Sequence, residues 1–454
     1  MELISVNPAT GKELSRTQTL SAEAVEAALS DASAAFRRWR ATPIRERANV
    51  LSQAARLLEA DAPRLAALMS SEMGKPFREA IAEAKKCAWT CRHYAENAER
   101  YLADQDAESD GSRAFVRYQP LGPVLAIMPW NFPFWQVFRM AAPALAAGNV
   151  VLCKHAPSTS GCGAAIASIW RRAGAPGGVY QDLPVAVDQV PAIIADPRVV
   201  AVAVTGSTRA GRAVAAEAGR HLKRTVLELG GSDPAVVMPT ADLDKAVEAI
   251  VRSRTLNNGQ SCIATKRVIV HEAVADAFTG RLVAAMQALA VGDPMDESVH
   301  VGPLASAAAR ELLAGQVAAC VAAGARVHCG GKALSGPGYF YPPTVLGEIP
   351  RGTPAWEDEL FGPVASVFRV RDLDAAIALA NDTVYGLGAA VYSRDEAEIA
   401  ALIDRIDAGC VFVNGLVKSD PRLPFGGIKS SGWGRELGAL GIRELCNAKT
   451  VWIA

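Results

Sequence analysis

The chain has 454 residues, and its 47 Lys and Arg residues balance its 47 Asp and Glu residues, so the formal net charge is zero. This balance excludes the strongly basic surface that nucleic acid or an anionic membrane attracts. No apolar run approaches the ~20 residues that span a bilayer, and the first residues lack the pattern of a signal peptide. We therefore expect a cytoplasmic protein that acts on a small molecule and has no nucleic-acid or membrane partner.

The nine cysteines predict neither a disulfide framework nor a metal site. Their number is odd and small for the length of the chain, and the doubled C-x-x-C spacing of a zinc site is absent. Cys87 and Cys91 fall on one face of a helical pattern without matching His or Cys partners, which is more typical of core packing. We expect a reducing compartment and no bound metal.

The predicted elements begin with long amphipathic helices between residues 21 and 105. Apolar residues recur there near i, i+3 and i+4, with interruptions at Pro43, Gly74 and Pro76. From residue 113 onward, short β-branched runs alternate with helical stretches; the runs include GPVLAIMPW, NVVLCK, RVVAVAVTG and TVLELGG. This alternation predicts a parallel sheet covered by helices on both faces.

A second alternating series follows residue 262 and ends near GCVFVNG. It predicts a second α/β domain, joined to the first at a hinge near Gly230 and Gly231. Two short stretches, 112–120 and 446–454, are predicted to pair as strands outside both domains. Because such strands usually need a partner subunit to cover their open edges, we expect a homodimer or homotetramer.

Two motifs at strand ends are candidates for binding a nucleotide. Lys154 ends the strand NVVLCK and can reach ribose hydroxyls or a phosphate at the carboxyl edge of the sheet. Gly206 and Ser207 stand where a strand passes into a helix, an arrangement that presents backbone N–H groups to a phosphate. Taken singly, each has an ordinary alternative, namely a solvated lysine and a tight turn with a serine cap.

Three further residues have the chemistry of attack on a carbonyl. Asn131, held within PWNFP after a buried strand, can donate its amide hydrogen to an oxyanion. Glu228 ends a strand among apolar neighbours, which raise a carboxyl pKa toward that of a general base. Cys262 follows the polar run NNGQS and can act as a nucleophile. The ordinary alternatives are a turn asparagine, a hinge carboxylate and a packed thiol.

Together these stretches resemble the aldehyde dehydrogenase superfamily over nearly the whole chain. The motifs occur in family order: NPATG at 7–11, PWNFP at 129–133, TGS at 205–207, LELGGSDP at 227–234, NNGQSC at 257–262, EDELFGPV at 357–364 and PFGGIKSSGWGRE at 424–436. The resemblance implies an α/β fold with two parallel-sheet domains and a small β oligomerisation arm. It implies a dinucleotide-binding domain at 1–106 and 121–229, a catalytic domain at 230–440, and an arm at 107–120 and 441–454.

The resemblance also implies NAD(P)-dependent oxidation of an aldehyde through a thiohemiacetal and a thioester. In that reaction Cys262 is the nucleophile, Asn131 and the Cys262 backbone N–H form the oxyanion hole, and Glu228 activates the hydrolytic water. The implied cofactor contacts are Trp130, Lys154, His155, Ala156, Pro157, Gly206, Ser207, Leu229, Glu359 and Phe361.

The finer resemblance is to the bacterial succinate-semialdehyde dehydrogenase branch, which would place the enzyme in 4-aminobutyrate breakdown. Arg139 resembles the arginine of that branch that pairs with the distal carboxylate of the substrate, and Ser419 is implied to assist. The alternative for Arg139 is a helix residue paired with a local acid.

Three positions depart from the family pattern. Leu256 stands where some relatives carry a second arginine, and Asn447 where many carry a glutamate that relays protons. Pro157 stands where NAD-preferring relatives often have glutamate, and it offers neither a carboxylate to repel a 2′-phosphate nor a donor to hold one. We expect NAD as the preferred cofactor and NADP as a usable second.

Other functions stay open at this stage. The apolar stretch PFWQVF would also suit other short aliphatic or aromatic aldehydes. A binding or structural member of the family without turnover is disfavoured by the joint presence of Cys262, Glu228 and Asn131. A dehydrogenase that transfers the acyl group to CoA is disfavoured because Glu228 favours hydrolysis of the thioester.

Overall fold

The computed structural model describes all 454 residues. Its first part is a hairpin followed by four helices, which confirms the helices predicted between residues 21 and 105. The elements are β1 (Glu2–Val6), β2 (Glu13–Gln18), α1 (Ala22–Trp39), α2 (Ile44–Ala60), α3 (Ala62–Met73), α4 (Phe77–Tyr101), β3 (Gln105–Ala107) and β4 (Arg113–Pro120). The hairpin was not predicted, because its strands are short and the side chains of β2 are nearly all exposed.

The next elements build a five-stranded parallel sheet in the order β7-β6-β5-β8-β9. They are β5 (Pro123–Ile127), α5 (Trp135–Ala147), β6 (Val150–Lys154), α6 (Ser160–Arg172), β7 (Tyr180–Asp182), α7 (Val190–Ala195), β8 (Ala201–Thr205), α8 (Thr208–Arg220) and β9 (Arg224–Glu228). The apolar runs predicted as strands are β5, β6, β8 and β9. Every residue of β6 and β8 is buried, as expected for a sheet covered on both faces.

The strand order of this sheet reverses beside β5. The chain runs outward from β5 to β6 and β7, and then returns to β8 on the other side of β5. In open parallel sheets, ligands bind outside the carboxyl ends of the strands at such a reversal. The residues that follow β5 and β8 are therefore placed where a dinucleotide would bind.

A second sheet has seven strands in the order β12-β13-β14-β11-β10-β15-β16. Its elements are β10 (Pro234–Val237), α9 (Leu243–Thr255), β11 (Arg267–His271), α10 (Glu272–Gln287), α11 (Ala307–Ala322), β12 (Arg326–Cys329), β13 (Thr344–Gly347), α12 (Pro354–Glu357), β14 (Val364–Val370), α13 (Leu373–Asn381), β15 (Gly388–Tyr392), α14 (Glu396–Arg405) and β16 (Cys410–Val413). All neighbouring pairs are parallel except β12 and β13 at one edge.

The chain ends with α15 (Gly438–Glu444) and β17 (Cys446–Ile453). β17 pairs antiparallel with β4 along its whole length, and β3 pairs with the other side of β4. This confirms the predicted pairing of the two isolated stretches outside both larger sheets. None of the helices combines the length and apolar character needed to span a bilayer.

The two larger units meet around the loop that follows α9. The first hydrophobic core includes residues from near the end of the chain, such as Phe425, Leu437 and Ile442, and Cys262 packs at its edge. The faces of the second sheet form two separate cores. The loop that carries Cys262 therefore lies at the junction of the two α/β units.

Candidate active site

Three consecutive residues before Cys262 adopt a left-handed backbone conformation. Asn257, Asn258 and Gly259 have φ angles of 56°, 59° and 74°, and asparagine and glycine adopt this conformation most readily. A Cβ added to Gly259 would lie 2.3 Å from the backbone of Gly362, so only glycine fits there. Backbone geometry thus explains the sequence NNG ahead of the cysteine.

Buried hydrogen bonds fix this loop to its neighbours. The Asn257 Nδ2 atom donates to the carbonyl of Asn131 at 2.6 Å, and the Asn257 backbone N–H donates to Glu79 of α4 at 2.7 Å. Asn258 bonds through its amide to backbone groups on either side. Strained residues of this kind persist only where the surroundings hold them. The position of Cys262 relative to Asn131 is set in this way.

A cavity of about 280 Å³ opens beyond β5 and β8, where the strand order reverses. Eight of the predicted site residues line it together: Trp130, Asn131, Gly206, Ser207, Leu229, Cys262, Glu359 and Phe361. The rings of Trp130 and Phe361 meet edge to face with centroids 5.8 Å apart. The cavity therefore brings the predicted nucleophile and one oxyanion donor together with the predicted cofactor contacts.

The thiol of Cys262 is partly buried and has two hydrogen-bond donors in its surroundings. Burial raises the pKa of this thiol to about 12, against the opposing charges of Arg139 and Lys266. The Cys262 backbone N–H donates to no acceptor within the chain. One N–H of the Asn131 amide donates to the carbonyl of Gln260 at 3.1 Å, which leaves the other available. These donors can stabilise negative charge that develops on a carbonyl oxygen.

Glu228 is a buried carboxyl group without a hydrogen-bond partner in the chain. Its residue is 3% exposed, and both of its carboxyl oxygens are unpaired. Burial raises its pKa well above the ordinary value, opposed by the charge of Arg139 and reinforced by that of Glu436. A Cβ added to Gly426 would lie 2.7 Å from Oε1 of Glu228 and 2.8 Å from the carbonyl oxygen of Gly434, so the close approach of these two backbone segments favours glycine. Such a carboxyl group is suited to accept a proton from water.

Glu359 is tied to the nucleophile loop through a lysine. Its carboxylate lies 3.0 Å from Nζ of Lys266 and accepts the backbone N–H of Gly231 at 3.2 Å. The same ammonium donates to the carbonyl of Cys262 at 2.7 Å. Lys266 therefore links Glu359, a predicted cofactor contact, to the backbone of Cys262, the predicted nucleophile.

Lys154 is a buried ammonium at the carboxyl end of β6. It is 6% exposed, no carboxylate lies within salt-bridge distance, and its polar contact is the carbonyl of His155 at 3.4 Å. Burial lowers its pKa. A cation without a counter-ion at this edge fits the hydroxyl and phosphate oxygens of a dinucleotide. Ala156 is buried and Pro157 exposed in the turn that follows.

His155 has no nitrogen free to contact a cofactor. Its Nε2 atom donates to the carbonyl of Pro133 at 2.8 Å, and its Nδ1 atom accepts from the backbone N–H of Ala156 at 3.0 Å. Burial lowers its pKa to about 4. His155 therefore joins the turn after β6 to the Asn131 segment through these hydrogen bonds.

The aldehyde dehydrogenase family model matches residues 2–451. The chain belongs to the aldehyde dehydrogenase family. Succinate-semialdehyde dehydrogenase [NADP(+)] 1 of Mycobacterium tuberculosis (strain ATCC 25618 / H37Rv) is 52% identical over 457 residues, covering 100% of both chains. These findings confirm the resemblance and the α/β fold with its parallel-sheet cores and small additional sheet.

Two solved structures have nearly the same fold as this aldehyde dehydrogenase. Gox0499, studied for its cofactor and substrate selection, has a TM-score of 0.99 and 42% identity, with 100% of both chains covered. Succinic semialdehyde dehydrogenase from Streptococcus pyogenes, in complex with NADP+, has a TM-score of 0.97 and 36% identity, with 99% of both chains covered. Two of these three relatives are named with NADP, so the expected preference for NAD is not supported.

Arg139, expected to pair with the distal carboxylate of the substrate, has an acidic partner within the chain of this aldehyde dehydrogenase. Its side chain is 2% exposed and forms an ion pair with Glu436, and it donates to Thr205 at 3.3 Å. The guanidinium is thus already neutralised by a local acid, which was the alternative reading. Its charge still acts on Cys262 and Glu228, where it favours the ionised forms.

Ser419 is buried and forms a hydrogen bond with a lysine that sequence reasoning missed. Its hydroxyl accepts from Nζ of Lys86 on α4 at 2.8 Å. Glu436 and Lys266 were missed as well. Glu436 is the last residue of the motif PFGGIKSSGWGRE, which could have drawn attention to it. Lys86 is one of several lysines on an amphipathic helix, and nothing in the local sequence distinguishes it. Asn447, predicted to replace a proton relay, is exposed in β17, and the acid that influences Glu228 is Glu436.

Proposed function

We propose that this aldehyde dehydrogenase oxidises succinate semialdehyde to succinate, with NADP as the preferred hydride acceptor. The observation that carries the proposal is the 52% identity, over the full length of both chains, to an enzyme named succinate-semialdehyde dehydrogenase [NADP(+)] 1. The presence of Cys262, Glu228 and Asn131 in one site supports turnover rather than a binding role.

The chain's own residues perform the covalent steps. The Cys262 thiol loses its proton to water and Sγ attacks the aldehyde carbon, and the resulting oxyanion accepts hydrogen bonds from the Asn131 amide and the Cys262 backbone N–H. Collapse of the thiohemiacetal expels hydride and leaves a thioester. Glu228 then removes a proton from the water that attacks the thioester, and the thiol is regenerated as succinate leaves.

The dinucleotide supplies the hydride acceptor when it is bound. Lys154, Gly206 and Ser207 would hold its ribose and phosphates, and Glu359 its second ribose. Trp130, Leu229 and Phe361 would enclose the nicotinamide end. Pro157 presents no carboxylate to a 2′-phosphate, and Lys154 has no internal counter-ion, which together favour NADP.

We extend the proposal to the division of labour along the chain. Residues 1–106 and 121–229 bind the dinucleotide, and residues 230–440 supply the nucleophile. Residues 107–120 and 441–454 join subunits, because β17 leaves an open edge with Trp452 and Ile453 about half exposed.

The test is the formation of NADPH and NADH by the purified protein with four aldehydes. Succinate semialdehyde, glutarate semialdehyde, butyraldehyde and benzaldehyde differ in charge, length and ring content. We expect the highest kcat/KM with succinate semialdehyde and NADP. Equal or better turnover of the uncharged aldehydes would overturn the substrate and leave the aldehyde dehydrogenase reaction in place.

The cofactor is tested by the substitution Pro157→Glu. A carboxylate at this exposed turn would repel a 2′-phosphate, so the ratio of kcat/KM for NADP to that for NAD should fall by roughly 10-fold. Pro157→Gln, which adds similar bulk without charge, is the matched control. A wild-type enzyme that prefers NAD would overturn this part of the proposal.

A further inference from the structure

A second cavity, of about 270 Å³, lies in the seven-stranded sheet where β13 ends beside β14. β13 pairs with β14 as far as Leu346, which is opposite Ser366, and ends at Gly347, whereas β14 continues to Val370. The last residues of β14 therefore lack β13 as a neighbour, and the cavity opens beside them. We call it the β13–β14 cavity.

The β13–β14 cavity is separate from the one that holds Cys262, and no residue lines both. The predicted cofactor contacts Glu359 and Phe361 precede β14, whereas the β13–β14 cavity lies at the carboxyl end of that strand. The seven residues of β14 span roughly 23 Å at the usual rise of a strand. Parallel sheets commonly bind ligands outside the carboxyl ends of their strands, which is where this cavity lies.

Thr279 of α10 lines the β13–β14 cavity with a hydroxyl group that has no partner. The residue is 8% exposed, and its Oγ1 atom is buried without a hydrogen bond in the chain. A threonine inside a helix can bond its hydroxyl to a carbonyl of the preceding turn, and Thr279 does not. Because an unpaired buried hydroxyl costs free energy, a ligand in the cavity can supply a hydrogen bond that the chain does not.

Three basic side chains line the same cavity: Arg326 and His328 of β12, and Arg369 of β14. Burial lowers the pKa of His328, and the charges of both arginines lower it further, so the three groups face one another. Arg326 lies 3.5 Å from Glu348, and Arg369 pairs with Asp276 of α10. Both acids are largely exposed. Since exposed ion pairs contribute little, an anion in the cavity can replace these acids.

Glycine at position 347 allows the imidazole ring to lie against the end of β13. A Cβ added to Gly347 would lie 2.5 Å from Nε2 of His328, so a larger residue would displace the ring. The remaining walls are apolar. The rings of Trp356 and Phe368 meet edge to face with centroids 5.2 Å apart, and Ile349 lies beside them in the lining. The cavity therefore combines hydrogen-bond donors with an aromatic surface.

We propose that the β13–β14 cavity binds a small organic acid, as a site additional to the active site. The carboxylate accepts hydrogen bonds from the three basic side chains and from the hydroxyl of Thr279. The apolar part of the acid packs against Trp356 and Phe368. Apart from Glu348, the polar side chains that line the cavity are donors, which favours an anion over a cation. The volume is close to the lower end of the range for ligand pockets, which favours a small molecule.

Benzoate is the probe, because it combines a carboxylate with an apolar ring. Its Kd for the purified protein is measured by ligand-observed NMR. Benzyl alcohol provides the ring without the charge, and inorganic phosphate provides an anion without the ring. We expect benzoate to bind and the other two to bind at least roughly 10-fold more weakly. Absence of benzoate binding, or equal binding of either comparison compound, would overturn the proposal.

Two variants locate the bound benzoate. Arg326→Met should raise the Kd by roughly 10-fold. Arg394→Met is the matched control, because it removes a similarly exposed, ion-paired arginine that does not line the cavity, and it should leave the Kd unchanged. Thr279→Val should raise the Kd by roughly 5-fold. If benzoate binds both cavity variants as tightly as wild type, it lies elsewhere, for example at the active site, and the proposal is wrong.

The stability of Thr279→Val without ligand gives an independent readout. The variant replaces an unpaired buried hydroxyl by a methyl group of similar size, so the urea concentration at the midpoint of unfolding should rise. A rise together with weaker benzoate binding supports a hydroxyl that is kept for a ligand. A lower midpoint would mean that the hydroxyl stabilises the fold itself, and an unchanged Kd would mean that it does not contact the acid. Either result would contradict the role proposed for Thr279.

Discussion

The reacting centre and the substrate region predicted around Arg139 and Ser419 differ in which polar groups lack partners. At the reacting centre, both carboxyl oxygens of Glu228 and the backbone N–H of Cys262 are unpaired. In the predicted substrate region, Arg139 has its own carboxylate, and Lys86 has a neutral hydroxyl instead. Unpaired polar groups inside a protein cost stability, and at the predicted nucleophile and base the substrate or water can supply the missing partner.

The two regions also differ in how they are assembled. Each group of the reacting centre ends a strand or follows a turn that its own neighbours in sequence specify. The predicted substrate region joins α4, α5 and the loop around Ser419, which come from distant parts of the chain. The comparison teaches that the partner of a charged side chain, and not its position in a motif, decides whether that charge is available to a ligand.

The largest effect expected at the reacting centre follows from Glu228→Gln. Removal of the base should lower steady-state kcat by about 10²- to 10⁴-fold. A first equivalent of NADPH should still appear rapidly, because Cys262 and the oxyanion donors remain. Stopped-flow absorbance would show this burst followed by slow turnover, and the exposed residue control Glu248→Gln should behave as wild type.

The pH profile sharpens the same test. Burial holds the pKa of Glu228 well above its ordinary value, so the carboxyl group is protonated at low pH and becomes a base as the pH rises. Wild-type kcat should therefore increase with pH through that pKa, and the increase should be absent in Glu228→Gln. Loss of the burst in the variant would mean that Glu228 acts before hydride transfer.

In the predicted substrate region, Arg139→Met should act chiefly on stability. It leaves the buried carboxyl group of Glu436 without its counter-ion, so the free energy of unfolding should fall by about 3 kcal/mol. Urea denaturation measures this change, and Arg139→Met combined with Glu436→Gln should recover part of it. Turnover of succinate semialdehyde and butyraldehyde should decline together. If Arg139→Met lowered kcat/KM for succinate semialdehyde alone and left stability unchanged, Arg139 would contact the distal carboxylate of the substrate, as the sequence predicted.

The strained turn before the nucleophile is tested by comparing Asn257→Ala with Asn257→Gly. Both variants lose the amide hydrogen bonds, but only alanine resists the φ of 56°. The free energy of unfolding of Asn257→Ala, measured by urea denaturation, should therefore be about 1 kcal/mol lower than that of Asn257→Gly. At Asn97, inside α4, the order should reverse, because alanine is the better helix former. If the alanine and glycine variants had the same order of stability at both positions, backbone strain at Asn257 would not explain the difference.

The smallest expected effect belongs to Ser419→Ala. The variant removes the hydroxyl that is predicted to assist binding of the distal carboxylate and that accepts from Lys86, so kcat/KM for succinate semialdehyde should fall by roughly 5-fold relative to that for butyraldehyde. Ser335→Ala, in an exposed loop, is the matched control. An increase in kcat/KM for succinate semialdehyde in Ser419→Ala would mean that the hydroxyl competes with the substrate for Lys86.

Much of the fold could be predicted because its signals are local. Buried strands such as β6 and β8 are short β-branched runs, and their alternation with helices predicts parallel sheets. The isolated stretches that became β4 and β17 were also predictable, since both read as strands outside the alternating series. The hairpin β1–β2 and the strand β13 were missed, because exposed or very short strands carry little periodicity.

The sequence by itself determined the family, the strand that Asn131 follows and the strand that Glu228 ends, because each depends on neighbours within a few positions. Only the tertiary structure decided that Arg139 is paired with Glu436, that His155 is saturated by internal hydrogen bonds, and that Lys86 reaches Ser419. The physical reason is that the ionic partner of a buried charge is chosen by packing between distant segments, which no local pattern records.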